Sequence, residues 1–284
     1  MIDETPSLLI VGGLTVDAFA DGTRAPGGSV LHSGLAASAA GVRPRILTIA
    51  GDEPEATVGL DRLQSIAADV ACQTAGATTT FRHTEHEGRR VLVLDALAGP
   101  MTTDAPAVDG QTVALVAPIA DELSAGGLTA LLGRLEPRRA VFLIQGWLRR
   151  LEIGVTVHPL ALAEVDEALW SAFARADAVV VSTEDLAEHP EDPFAQAAAL
   201  RARLGPRPIL CLTLGAEGYL LDDPAVDRVV ASVPRRVVEG VPTVGAGDTF
   251  GAAFAIALGD GDGAGRAAER ATEAVIGMLE TRVP

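Results

Sequence analysis

The chain has 284 residues, a formal net charge of −16 and an apolar fraction of 48%. That acidity excludes nonspecific nucleic-acid binding and adhesion to anionic membranes, because both need a positive surface. All 22 basic residues are arginine, so chemistry that requires a lysine, as in a P-loop or a Schiff base, is ruled out. Any phosphate must be held by main-chain amides, helix ends, arginine or a metal.

No run approaches the ~20 apolar residues of a membrane span. The opening MIDETPSLLIVGG lacks the basic stretch of a secretory leader, and the expectation is a cytoplasmic protein without nucleic-acid or membrane partners. Cys72 and Cys211 lie in apolar, strand-like runs and are expected to be buried, reduced thiols.

Apolar runs at 7–11, 45–50, 113–117, 140–144, 178–181 and 209–214 read as buried strands. Helical patterns occupy 30–40, 121–135, 161–176, 192–204 and 249–258. This alternation predicts an α/β fold with a mainly parallel sheet covered on both faces, a single domain over residues 1–284. One region departs from it. Segments 78–84 and 89–96 flank Glu87-Gly88 as a β-hairpin, and with residues 14–20 they would form a small sheet able to cover a cleft at the strand ends. His83, Glu85 and His86 suggest a metal, but strand alternation puts the two histidines on opposite faces. A solvated hairpin is the favoured reading.

Four stretches carry candidate chemistry. Val11-Gly12-Gly13 ends the first strand, Asp17 follows, and Pro26-Gly27-Gly28-Ser29 enters a helix with His32 one turn inside. Asp17 would accept hydrogen bonds from a polyol while Gly27 and Gly28 allow close approach; taken alone, each is more often a structural turn than a binding feature. Gln145-Gly146-Trp147-Leu148-Arg149 follows a strand, with Arg149 either a surface residue or an anion contact. Thr213-Leu214-Gly215-Ala216-Glu217-Gly218 is a glycine turn suited to the floor of a nucleotide site. The sharpest stretch is Thr243-Val244-Gly245-Ala246-Gly247-Asp248-Thr249-Phe250, a glycine turn opening into an amphipathic helix. Free amides and the positive helix end suit a phosphoryl group there, and Asp248 can be either a proton acceptor or a helix cap.

In this order the motifs resemble the ribokinase (PfkB carbohydrate kinase) family from about residue 8 to 274. The resemblance implies a three-layer sandwich with a small β lid of about 14–20 and 78–96, a kind of lid that can pair into a homodimer. It implies ATP as phosphoryl donor, Mg²⁺, and a small sugar, cyclitol or nucleoside as acceptor. Asp248 would be the catalytic base, and Gly245, Ala246 and Gly247 the anion hole. Asp17, Gly27, Gly28, His32, Gln145 and Arg149 would face the acceptor, with Gln145–Arg149 similar to an inositol kinase-like branch. Thr213, Gly215, Gly218 and Ser182 would lie by ATP, and Asp185 by the metal. Three positions depart from the family pattern. Pro242 replaces the Asp that opens the signature, which argues against a monovalent-cation site; His32 replaces an Asn; Ser182 replaces an Asn on the metal side. These departures leave open a catalytically impaired member that only binds a sugar or nucleotide.

Overall fold

The computed structural model describes residues 7–86, 89–102, 112–187, 192–226 and 228–283; the turn expected at Glu87-Gly88 lies outside them, and of residues 85–90 no side chain is described. The strands in chain order are β1 (Leu8–Val11), β2 (Thr15–Ala18), β3 (Arg24–Gly27), β4 (Arg45–Ala50), β5 (Asp69–Thr74), β6 (Thr79–His86), β7 (Arg89–Ala96), β8 (Val113–Val116) and β9 (Arg139–Leu143). A two-residue pair follows, β10 (Arg149–Arg150) and β11 (His158–Pro159), then β12 (Ala178–Ser182), β13 (Ile209–Thr213), β14 (Tyr219–Asp222) and β15 (Val229–Ser232). The helices are α1 (Ser29–Ala39), α2 (Pro54–Ile66), α3 (Ala125–Leu135), α4 (Glu167–Phe173), α5 (Pro193–Leu204), α6 (Ala246–Gly259) and α7 (Ala264–Glu280).

Nine strands form the main sheet in the order β15-β14-β13-β12-β9-β8-β1-β4-β5. All neighbours from β13 to β5 are parallel, and the hairpin β14–β15 adds two antiparallel strands at one edge. Alternation along each strand divides the core in two. Leu8 and Ile10 of β1, with Val141 and Leu143 of β9, face α1, α2, α6 and α7. Leu9, Val11, Ala140 and Phe142 face α3, α4 and α5. The result is helix, sheet, helix.

Helix starts follow local chemistry more closely than periodicity. The pattern at 121–135 begins as helix only at Ala125, because Asp121 is left-handed (φ +58°) and Ser124 caps the helix by accepting from the Gly127 amide at 3.1 Å. The pattern at 161–176 yields helix only over Glu167–Phe173, capped by Asp166. Cys72 corrects the expectation of two buried thiols: it is exposed, since β5 is the sheet's edge strand, whereas Cys211 is buried. No helix among the described residues is long and apolar enough to cross a membrane.

A second, four-stranded sheet has the order β3-β2-β6-β7. It stands over the C-terminal ends of the main strands and takes β3 in addition to the three segments expected from sequence. Glu53, at the start of α2, accepts both the amide and the hydroxyl hydrogen of Thr78, tying this sheet to the body. Residues 154–157 run along β7: Gly154 donates to the Leu94 carbonyl at 2.7 Å, Leu94 to Val155 at 3.2 Å, and Val157 to Leu92 at 2.8 Å. A small apolar cluster of Phe81, Leu94 and Ala120, flanked by Leu92, Ile119, Leu151 and Val157, seals the joint.

Candidate active site

The parallel strands β1, β8, β9, β12 and β13 end along one edge of the main sheet, and the carboxyl ends of such strands are the usual place for a ligand crevice. Asp248 lies in the first turn of α6. Gly245 caps that helix with φ +80°, and a Cβ there would lie 2.6 Å from the His32 ring, so only glycine fits. The Ala246 amide donates to the Thr243 carbonyl at 3.0 Å and closes the turn. A Cβ on Gly247 would meet nothing within 4 Å, so an anion has open access at that position. Of the three residues expected to form an anion hole, Ala246 thus spends its amide inside the turn.

Asp248 is 7% exposed as a residue. Its Oδ1 accepts one long bond, 3.5 Å from Gln145 Nε2. Burial pushes its pKa up; the charges of His32 and Arg149 oppose the rise and that of Asp17 adds to it. A carboxylate with a raised pKa and spare lone pairs is suited to accepting a proton.

Across the β2–β3 pairing Gly27 lies opposite Thr15 and Asp17 opposite Ala25, and the Asp17 side chain leans over Gly27. A Cβ on Gly27 would fall 2.3 Å from Asp17 Oδ2, and one on Gly28 (φ +94°) would fall 2.5 Å from the Gly13 carbonyl. The Gly-Gly step is therefore what lets α1 begin against β1. His32, in the first turn of α1, packs its ring on Gly245, and its Nε2 is buried without a partner.

Two residues of this site escape sequence reasoning. His83 is 8% exposed, joined to Asp17 Oδ1 at 2.9 Å and stacked on Phe19 with ring centroids 4.8 Å apart. This overturns the solvated hairpin at that position: β6 turns His83 toward β2 on the same face as Phe81. Among the described residues no cluster of three or more His, Cys, Asp or Glu could hold a metal. Glu122, beyond β8, is fully buried. Its Oε2 accepts from the Ile119 and Ala120 amides at 2.9 and 3.0 Å, while Oε1 has no partner and faces Gly13. Burial raises its pKa, partly opposed by those amides and by Arg149.

Arg149 ties these parts together. It follows the 3₁₀ turn Gln145–Leu148, donates to the Ile119 carbonyl at 3.0 Å, and lies 3.7 Å from Asp185 and 5.9 Å from the centre of the Phe81 ring. Its side chain is largely buried, so it is not a surface residue. Gly146 permits this by close approach to the Pro118 carbonyl, 2.3 Å from where a Cβ would stand.

On the opposite flank Ser182 and Thr213 are register partners at the ends of β12 and β13. Ser182 accepts from the Glu184 amide at 3.2 Å, and Asp185 Oδ2 accepts from the Ser182 amide at 3.3 Å, a reciprocal cap. Burial pushes the Asp185 pKa up; Arg149 opposes this, while Glu184 and Asp248 reinforce it. Among the described residues its Oδ1 makes only the long contact to Arg149 and retains capacity to hold a water on a metal, which fits a magnesium ion bound chiefly by phosphates. The Thr213 hydroxyl donates to the Val181 carbonyl at 3.4 Å. Gly215 (φ +60°) opens the following turn, and a Cβ on Gly218 (φ +102°) would lie 2.0 Å from the Ser232 carbonyl, so Gly218 is demanded by the β14–β15 hairpin.

No family model matches the chain, and no curated protein matches it. Solved structures do. A pyrophosphate-dependent kinase in the ribokinase family, complexed with a pyrophosphate analog and myo-inositol, aligns with a TM-score of 0.78 at 19% identity, covering 98% of this chain and 96% of that one. Fructokinase from Vibrio cholerae aligns at 0.70 and 17%, covering 98% and 99%. Arabidopsis thaliana ribokinase complexed with ribose and ATP aligns at 0.69 and 15%, covering 97% and 93%. Nearly the full length aligns in each case; this chain has the ribokinase fold.

Proposed function

We propose that this protein is a small-molecule kinase, transferring the terminal phosphoryl group of ATP to a hydroxyl of a small sugar, cyclitol or nucleoside. The observation that carries the proposal is the buried Asp248 carboxylate, with one weak partner, at a helix start whose Gly247 side is open. Asp17, fixed by His83, accepts a hydrogen bond from the acceptor and orients it. Asp248 takes the proton of the attacking hydroxyl. The Gly247 amide and the N-terminus of α6 stabilise negative charge on the transferring group, and Arg149 adds a cation from the β9 side. Asp185 would hold magnesium, which when bound neutralises phosphate charge. Thr213 and Gly215 would line the donor. The small sheet covers the crevice and excludes water, which limits wasteful hydrolysis.

The donor admits a second reading. Solved structures with this fold include pyrophosphate-dependent kinases, and a site without lysine that relies on amides and arginine suits an inorganic polyphosphate as well as a nucleotide. The test crosses ATP and pyrophosphate as donors with a panel of sugars, inositols and nucleosides, with magnesium present. A phosphorylated product is expected with one donor. Tight binding of an acceptor with no product from either donor would replace the kinase with a binding protein.

A further inference from the structure

The turn that presents Gly247 and Asp248 is held by a residue from the far end of α7. Each of the three carbonyls preceding Gly245 is occupied. That of Thr243 accepts from Ala246. Those of Pro242 and Val244 both accept from the same nitrogen, Nη1 of Arg282, at 2.6 and 2.9 Å. Arg282 stands two residues beyond α7, whose Ile276 and Leu279 are buried, and its own amide donates to the Leu279 carbonyl at 3.0 Å. An ion pair of 2.8 Å between Arg236 and Glu280 fastens the preceding segment to the same helix end.

Two main-chain carbonyls converging on one positive centre are the donors that a bare monovalent cation seeks. Such an ion does not fit here. The carbonyls are taken, a second cation would be repelled by the guanidinium, and Pro242 offers no carboxylate to offset the charge. We propose that Arg282 is a positioning residue for the anion turn, a covalently tethered cation in place of an exchangeable one, so that phosphoryl transfer by this chain is independent of potassium and sodium. The catalytic half rests on the kinase reading above; the structural half does not.

The experiment therefore has two readouts on the full chain: amide hydrogen exchange of the 241–248 segment, and steady-state phosphoryl transfer with magnesium present. Both are measured with choline as the only monovalent cation and again after replacement by potassium at constant ionic strength. Wild type is expected to be indifferent to the replacement in both. Arg282→Ala should exchange about tenfold faster in this segment and lose turnover by a similar factor, as expected for loss of a charge-assisted hydrogen bond. Free guanidinium should restore part of both, and Arg282→Lys should stay near wild type in both. Severalfold activation of wild type by potassium would overturn the proposal, as would wild-type exchange in Arg282→Ala. If wild type phosphorylates no acceptor, the kinase reading fails, and the exchange readout alone decides the clamp. If Arg282→Ala does not fold, Arg282→Gln takes its place with the same expected losses.

Discussion

Asp248→Asn removes one charge and leaves shape and volume almost unchanged. Asp248 is buried, its carboxylate receives one 3.5 Å bond from Gln145, and burial raises its pKa above the usual aspartate value. With the folded pKa above the unfolded one, the native state binds more protons between the two values. Stability is then full below the unfolded pKa and is lost as pH rises through the folded one. At neutral pH the ionised group destabilises the fold. Asp248→Asn should accordingly raise the unfolding midpoint by a few degrees, at about 2–4 °C per kcal/mol for a chain of this size, while turnover falls by about 10²–10⁴, the usual worth of a positioned base. Scanning calorimetry and steady-state kinetics on the same preparations test both. The thermal gain should shrink as pH falls toward the ordinary aspartate range, where wild type also becomes neutral. Turnover within about threefold of wild type would refute the assignment of the base. A lower midpoint at neutral pH would refute the electrostatic reasoning, whatever the kinetics.

Two further substitutions probe the frame around the base. His83→Ala should raise the acceptor KM by about tenfold with a smaller effect on kcat, because it frees Asp17 to turn away and acts on binding more than on proton transfer; steady-state kinetics against varied acceptor measures the split. Gly28→Ala must accept φ +94° and a Cβ 2.5 Å from the Gly13 carbonyl, and should lose about 1–3 kcal/mol or more, read from the urea midpoint.

The central strands were legible because they are buried on both faces, and unbroken apolar runs such as Val113–Val116 carry that signal. The turn at Gly245 was legible because glycine, carboxylate and a helical apolar face are consecutive in the chain. Elements with little apolar content were not. Helix α2 buries only Ala56, Gly59 and Leu63, too sparse a stripe to stand out. His83 had a usable signal: in β6 it shares a face with Phe81, and inward phenylalanine implies inward histidine. Glu122 and Arg282 had none. What makes Glu122 notable is Gly13, which β1 delivers beside it, and what makes Arg282 notable is a pair of carbonyls 40 and 38 positions away. Contacts of that range are set by the packing of whole elements and leave no local pattern.

The strip at residues 154–157 that runs beside β7 also bears on how this protein avoids sticking to itself. A free sheet edge is a template for any other extended chain. Over Leu92–Leu94 the outer edge of β7 is already paired within the molecule. The opposite edge, β3, contains Pro26, which has no N–H to offer, and lies against α2, where a Cβ on Gly59 would stand 3.0 Å from the proline ring. Both margins of the small sheet are thus blunted, one by pairing and one by proline and a helix. Over these stretches strand-by-strand growth from the small sheet is suppressed.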